Sequence, residues 1–311
     1  MMETILITGG TGLIGEALAN MAAAEGYKVI ILSRKPQRAE REGIGYAAWD
    51  TGKGTYDSRA FAGADHVVHL AGANVAEKRW TERRKKEIVS SRVTSGELMV
   101  KALTETPNRI RTVVSASAIG WYGPDRVRPS TPFVESDPPN DDFLGDTCRR
   151  WEDSVLPVTA LGKRLVILRT SLVLTNRGGA YPALTRSMKA GIATILGSGS
   201  QVISWIHLDD ICRMYLHAIR NQALQGIYNA VAPETITNKD LVLRAARAQH
   251  RPFIPVHVPA FLIRLALGEL SVEVLKSTTV DGTKMRNTGF TFVYPGVDAA
   301  IGALRAESTH G

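Results

Sequence analysis

Cysteine is scarce in these 311 residues: Cys148 and Cys212 are the only two, far apart in sequence. They form neither a metal-ligand pair nor a disulfide scaffold, so both read as ordinary reduced thiols. Histidine adds no metal signal, since the seven present show no ligand spacing and a metal site is unsupported. Long apolar runs are missing too. The greasiest stretch, residues 258–267, is broken by Arg264 and falls short of the roughly 18 uninterrupted apolar residues a membrane span requires, so no membrane partner is expected. The chain enters Thr4-Ile5-Leu6-Ile7-Thr8 almost at once, with no room for a signal peptide's regions, and a cytoplasmic location is the expectation. Internal repeats and low-complexity tracts are absent.

What is present is a packed-protein composition, 44% apolar, with a net charge of +8. Much of the excess is local: Lys78, Arg79, Arg83, Arg84, Lys85 and Lys86 face a single acid, Glu82. Such a run reads first as a solvated helix face, with an anionic ligand's surroundings or a nucleic-acid patch as alternatives. No nucleic-acid motif accompanies it, so no nucleic-acid partner is expected.

At this length two structural units are the first guess. Short apolar runs alternate with helix-like stretches in the first part, the pattern of strand and crossover helix in a parallel sheet. Strands are expected over residues 4–8, 28–33, 45–49, 66–71, 112–116 and 164–169. Helices are expected over 14–25, about 82–105 and 146–159. Glycine, proline and polar residues cluster over 176–201, a departure from that sheet. A further helix over 210–220, with Asp209 as its N-cap and Ile211, Met214, Tyr215, Ala218 and Ile219 as its stripe, is assigned back to the first unit. Residues 226–305 are expected to form most of a smaller lobe. The resulting division is 1–176 plus helix 209–220, then 177–311.

The loop Gly9-Gly10-Thr11-Gly12-Leu13-Ile14-Gly15 directly follows the first strand and opens the first helix. Glycines also serve plain turns, but in this position loop amides and a helix N-terminus face the same point, where a pyrophosphate would sit. Gly9 would allow the turn, Gly12 would admit the phosphate and Gly15 would let helix and strand pack closely. The fold expected is α/β: a Rossmann doubly wound parallel sheet with a smaller α+β carboxy-terminal lobe. The second strand ends in Ser33-Arg34-Lys35, with no acid to bind a free ribose 2′-hydroxyl and an arginine fork suited to a 2′-phosphate. NADP(H) is therefore preferred over NAD, the alternative being that Arg34 is a solvated strand end. Asp50, closing the third strand, is a candidate neighbour of the adenine.

Arg92 stands out on the helix over 82–105. It falls on or beside the stripe of Ile88, Val89, Val93, Met99, Val100 and Leu103, where a charge needs a partner. Three readings are open: a snorkelling arginine, an internal pair with Glu87, or a contact to the cofactor's phosphate or ribose that Glu87 helps to orient.

Together the glycine loop, Ser33-Arg34-Lys35-Pro36, His69-Leu70-Ala71-Gly72, Lys78-Arg79-Trp80-Thr81, Ser91-Arg92 and residues 115–123 (Ser-Ala-Ser-Ala-Ile-Gly-Trp-Tyr-Gly) resemble the atypical extended short-chain dehydrogenase/reductases of the epimerase family. Leu168-Arg169-Thr170, Gly197-Ser198-Gly199, Ser204-Trp205-Ile206-His207-Leu208-Asp209-Asp210, Asn229-Ala230-Val231-Ala232-Pro233 and Gly289-Phe290 extend the resemblance over essentially the whole chain. It implies that Ser33 and Arg34 hold the 2′-phosphate. The backbone of Leu70 and Ala71, in the run that ends at Gly72, would pass under the cofactor. Glu87, Arg92 and Val173 would complete its pocket, and the carboxy-terminal lobe would cover the nicotinamide end.

One departure limits that inference. The superfamily's general acid or base is a tyrosine, with a lysine four residues later lowering its pKa; no Tyr-x-x-x-Lys occurs in this chain. Aligned through Trp151-Glu152, the two positions hold Leu144 and Cys148. Candidates to replace the lost proton donor follow the fifth long strand: Ser117, which best fits the superfamily's serine position, and Tyr122, the nearest phenol. Core or loop packing is the competing reading for Tyr122, as for Trp121. His207 reads as local hydrogen bonding first and a substrate-pocket residue second. The expectation is an NADP(H)-dependent oxidoreductase or epimerase-like enzyme acting on a small molecule, with a non-catalytic NADP(H)-binding regulator as the alternative. Substrate identity and oligomeric state are open at this point.

Overall fold

An eight-stranded sheet forms the centre of the computed structural model, which describes residues 2–36, 43–126 and 131–309. Its first part runs β1 (Thr4–Thr8), α1 (Leu13–Ala24), β2 (Lys28–Ser33), β3 (Ile44–Asp50), β4 (Thr55–Tyr56), α2 (Ser58–Ala62), β5 (His66–His69), α3 (Glu82–Glu105), β6 (Thr112–Ala118), α4 (Phe143–Val155) and β7 (Arg164–Thr170). Then follow β8 (Leu172–Leu174), α5 (Ala180–Thr185), β9 (Ile192–Leu196), β10 (Val202–Ile203), β11 (Trp205–His207), α6 (Leu208–Arg220) and β12 (Gly226–Ala230). The last part holds β13 (Ile236–Thr237), α7 (Asn238–Arg247), β14 (Ile254–Val258), α8 (Ala260–Leu267), α9 (Ser271–Leu275), α10 (Thr283–Arg286) and α11 (Val297–Thr309).

The strand order is β12-β7-β6-β5-β1-β2-β3-β4, parallel throughout except for the antiparallel pair β3 and β4. Every residue of β1 is buried, as both faces of a doubly wound sheet demand. Strand periodicity then divides the core in two. Ile5 and Ile7 pack with Leu18 of α1 and Met214 of α6, while Leu6 points the other way to Val67, Met99 of α3 and Val155 of α4. A third cluster, around Trp205, Leu241, Val242, Val297 and Ile301, lies in the carboxy-terminal part beside the two-stranded sheets β8-β11, β9-β14 and β10-β13.

Four expectations shift. The strand expected to 71 stops at His69, and α4 starts at Phe143 because the Asp142 carboxylate already accepts from the Gly145 amide at 2.8 Å. Its far end passes into a 3-10 turn that contains Pro157, which cannot continue an α-helical hydrogen-bond ladder. His207, rather than Asp209, caps α6: its Nδ1 accepts from the Asp209 amide at 3.2 Å. Asp210 is drawn inward instead, accepting from the amides of Val293 and Tyr294 at 2.7 and 2.9 Å. The stretch 226–305 also does not begin in the smaller lobe, since β12 forms the edge of the main sheet beside β7, and Met285 and Phe290 pack into the sheet's core.

Candidate functional site

The turn between β1 and α1 is shaped by close contacts that admit only glycine. Gly9 has φ +67, and a Cβ there would stand 2.8 Å from the Leu70 carbonyl carbon and oxygen and 2.9 Å from the Ala71 nitrogen. A Cβ on Gly15 would fall 2.3 Å from the Gly9 oxygen, so the first turn of α1 lies backbone to backbone on the glycine turn. Gly10 is pressed on Ile31 of β2. Gly12 differs, because its nearest neighbour would be the Gly9 oxygen at 3.3 Å and its outer side is exposed, like that of Thr11. Gly12 is also the N-cap of α1, and no side chain caps it, so the positive end of α1 with Leu13, Ile14 and Gly15 in its first turn faces outward.

Neighbouring strands bring the other predicted residues to this edge. Ser33 ends β2, its hydroxyl accepting from the Lys35 amide at 3.1 Å, and Arg34 beyond it is exposed with no carboxylate partner among the described residues. Asp50 ends β3, and its Oδ1 accepts from the amides of Gly52 and Lys53, closing the turn into β4. At the end of β5 the Thr8 hydroxyl accepts from the amides of Leu70 and Ala71 at 3.1 and 3.3 Å and lies 2.9 Å from His69 Nδ1. Burial lowers the His69 pKa to about 4, leaving a neutral ring between the sheet and the loop.

Arg92 reaches this loop from below. Its Nη1 donates to the carbonyls of Ala73 and Ile88, both at 3.0 Å, and its guanidinium lies 4.8 Å from the Trp151 ring. A Cβ on Gly72 would meet its Cζ at 3.1 Å, so the cation passes directly under that glycine. Burial pulls the Arg92 pKa down to about 10, and no carboxylate among the described residues offsets it. Glu87 is not the partner: it pairs with Arg84 at 2.8 Å, because Arg84 also holds the loop through Asn74 and Glu77. Val173, half-buried on β8, packs against the core that carries the loop.

Ser117 and Tyr122 meet in a chain of buried polar groups. Ser117 Oγ donates to Glu152 Oε1 at 2.6 Å, and Glu152 holds Arg169 through Nε at 2.8 Å and Nη2 at 3.0 Å. Arg169 Nη1 donates to the Tyr122 hydroxyl at 3.0 Å, which donates in turn to Asn229 Oδ1 at 2.8 Å. Tyr122 is wholly buried, and desolvation pushes its pKa up to about 12 despite Arg169. Leu144 and Cys148 both lie against Gly120, at the strand end where the absent tyrosine and lysine would act, and burial raises the Cys148 thiol to about 12. His207 is buried at the α6 N-terminus, its ring 4.0 Å from that of Tyr294. Glu152, Arg169 and Thr8 carry no site assignment from sequence reasoning, though a glutamate on the apolar face of a helix and an arginine inside a strand of aliphatics were signals for the first two.

Residues 5–230 match the NAD dependent epimerase/dehydratase family, and residues 258–304 match a domain of unknown function, DUF1731. An epimerase family protein of Staphylococcus saprophyticus is 34% identical over 300 residues, covering 96% of this chain and 98% of that one. The epimerase family protein YfhF of Bacillus subtilis is 31% identical over 304 residues, covering 97% and 98%. Among solved structures, human epimerase family protein SDR39U1 with NADPH superposes with a TM-score of 0.85 at 29% identity, covering 97% of this chain and 99% of that one. The glycine-lined turn at the sheet edge, the whole-length relatives and the shared fold agree: this chain belongs to the NAD dependent epimerase/dehydratase family, among its atypical extended short-chain dehydrogenase/reductases.

Proposed function

We propose that the chain binds NADP(H) across the Gly9 to Gly15 turn and exchanges hydride with a carbonyl or hydroxyl of a small-molecule substrate, as an oxidoreductase or epimerase-like enzyme. The observation that carries this reading is Arg92, a buried cation with no carboxylate partner among the described residues, running under Gly72 in the loop whose Leu70 and Ala71 lie against Gly9 of the glycine turn. A buried charge so placed calls for an anion. The residues fit the cofactor in detail. The turn from Gly9 to Gly15 receives its pyrophosphate at the uncapped start of α1, the Gly12 amide closing the turn on the Gly9 carbonyl at 2.9 Å, and Ser33 and Arg34 take the 2′-phosphate. The backbone of Leu70, Ala71 and Gly72 supports it, Arg92 and Val173 complete the pocket, and Glu87 contributes by fixing Arg84 and so the loop over 73–77. The NADPH in the human relative supports the same choice.

The bound nicotinamide supplies the hydride donor or acceptor. This chain's residues hold it and exclude water, with residues from 177 onward, apart from α6 and β12, covering the nicotinamide end in a cytoplasmic protein. Ser117 and Tyr122 were the sequence's candidates for moving the proton. Both hydroxyls are spent inside the protein on Glu152 and Asn229, so the proton for exchange comes from outside this pair. The same observation favours a second reading, an NADP(H)-binding regulator that performs no turnover. Titrating the purified protein with NADPH and NADP, then screening carbonyl compounds and nucleotide sugars for cofactor oxidation, separates them. Cofactor oxidation with one substrate class supports the enzyme, tight binding without turnover across the panel supports the regulator, and failure to bind either cofactor overturns both.

A further inference from the structure

Five of the eleven large apolar side chains exposed among the described residues fall within residues 254–265. Leu265 is 72% exposed, Ile254 69% and Phe261 65%, with Val256 and Leu262 beside them. Helix α8 (AFLIRLAL) is apolar on all sides but for Arg264, a composition that normally means burial all round; here Ile263 turns into the protein, Ala260 and Leu267 are half-buried, and Phe261, Leu262 and Leu265 face water. Strand β14 pairs with β9 alone. An apolar patch of this kind on a protein surface marks a place where something docks.

Charge indicates what docks there. Residues 241–268 contain no aspartate or glutamate, yet hold Arg244, Arg247, Arg251 and Arg264. Arg244 is taken by Glu234 and Asp298, while the other three make no ion pair among the described residues. Arg79 lies against Gly268 at the end of α8, where a Cβ would meet its Nη2 at 3.1 Å, and Lys85 is paired with Glu269. The basic run at the start of α3 is thereby fastened to the same face. A second copy of the chain docking symmetrically would set these arginines against their own equivalents. Extension of the sheet by a further strand is also blunted: Ile254 donates to Gly191 on the β9 side, so Pro255 falls on the free edge and removes an amide from it.

We propose that α8 and β14 form a docking face for an anionic phospholipid surface, with Phe261, Leu262 and Leu265 entering the headgroup region and Arg264, Arg251 and Arg79 meeting lipid phosphates. No helix among the described residues is long and apolar enough to cross a membrane, so the contact lies on the surface and does not span it. The length argument that set membranes aside in the sequence concerns spanning alone.

Co-sedimentation of the full chain with vesicles tests this. Vesicles of equal parts phosphatidylcholine and phosphatidylglycerol should carry the protein down, pure phosphatidylcholine should not, and raising salt should release it. Leu265→Glu and, separately, Arg264→Glu should each weaken the partition about tenfold or more, with the thermal midpoint unchanged. The proposal is overturned by equal sedimentation with both vesicle types, by no sedimentation with either, or by variants that partition like the parent. It is also overturned if the chain is a dimer in solution that Leu265→Glu dissociates, or if Leu265 and Arg264 govern capture of an acidic protein but not of vesicles.

Discussion

Ser117 donates to Glu152 across 2.6 Å in the interior, where both are almost without exposure. The hydroxyl shares Glu152 Oε1 with Arg169 Nε and so helps to orient the carboxylate that holds that arginine. Ser117→Ala should cost about 1–3 kcal/mol of stability, the usual penalty for leaving a buried partner unsatisfied, and Tyr122→Phe a similar amount. NADPH affinity of both variants should match the parent. Urea unfolding and cofactor titration check this; loss of turnover with unchanged stability would return the two residues to a catalytic role.

The ion pair itself should weigh more. Removing one partner of a buried pair strands the other charge, so Glu152→Gln or Arg169→Met should lower stability by about 3–5 kcal/mol. The double variant Glu152→Leu with Arg169→Met should recover much of the loss, because no charge is then left buried. Equal or greater damage in the double variant would show that the pair's geometry, and not charge compensation, is what the core requires.

Helix α4 and strand β7 also show what could be read in advance. Strand β1, the glycine turn and β2 were legible because each is local: an apolar run, then residues that permit the turn, then a second run. The Glu152 and Arg169 pairing was not, since it depends on α4 packing across the ends of β6 and β7, which no periodicity encodes. The capping roles of Asp142 and His207 were missed for a related reason: several polar residues compete near a helix start, and tertiary contacts, such as those of Asp210 to the amides of Val293 and Tyr294, decide among them. Arg92 was conspicuous as a charge on an apolar stripe, but only the fold shows its partners to be carbonyls and Trp151 instead of Glu87.

His69 should make stability pH-dependent. Burial holds its folded pKa at about 4 against the ordinary 6.5, so between those values the unfolded chain binds the proton and the folded chain does not. Stability from this group is complete above about pH 6.5 and falls as pH drops toward 4, by on the order of 3 kcal/mol in all. The slope of unfolding free energy between pH 7 and 5 should flatten in His69→Asn relative to the parent; an identical slope would remove His69 as its source.

Two glycines of one loop should behave differently. Gly9→Ala forces a Cβ into the Leu70 backbone at a left-handed position, and should lower the thermal midpoint by several degrees together with cofactor affinity. Gly12→Ala meets only the Gly9 oxygen at 3.3 Å, so it should leave the midpoint nearly unchanged while weakening NADPH binding about tenfold, if the proposed pyrophosphate lies on its exposed side. Parallel losses in both variants would mean the loop is a structural turn and nothing more.

The proposed preference for a 2′-phosphate rests on Arg34, exposed at the end of β2 with no carboxylate partner among the described residues. Equilibrium titration of Arg34→Asp with NADPH and NADH measures that preference directly. The parent should bind NADPH well ahead of NADH, and the variant should lose about tenfold to a hundredfold of NADPH affinity, the value of a charge-assisted contact to phosphate, with NADH binding little changed. An unaltered ratio of the two affinities would contradict an NADP(H) site at this turn.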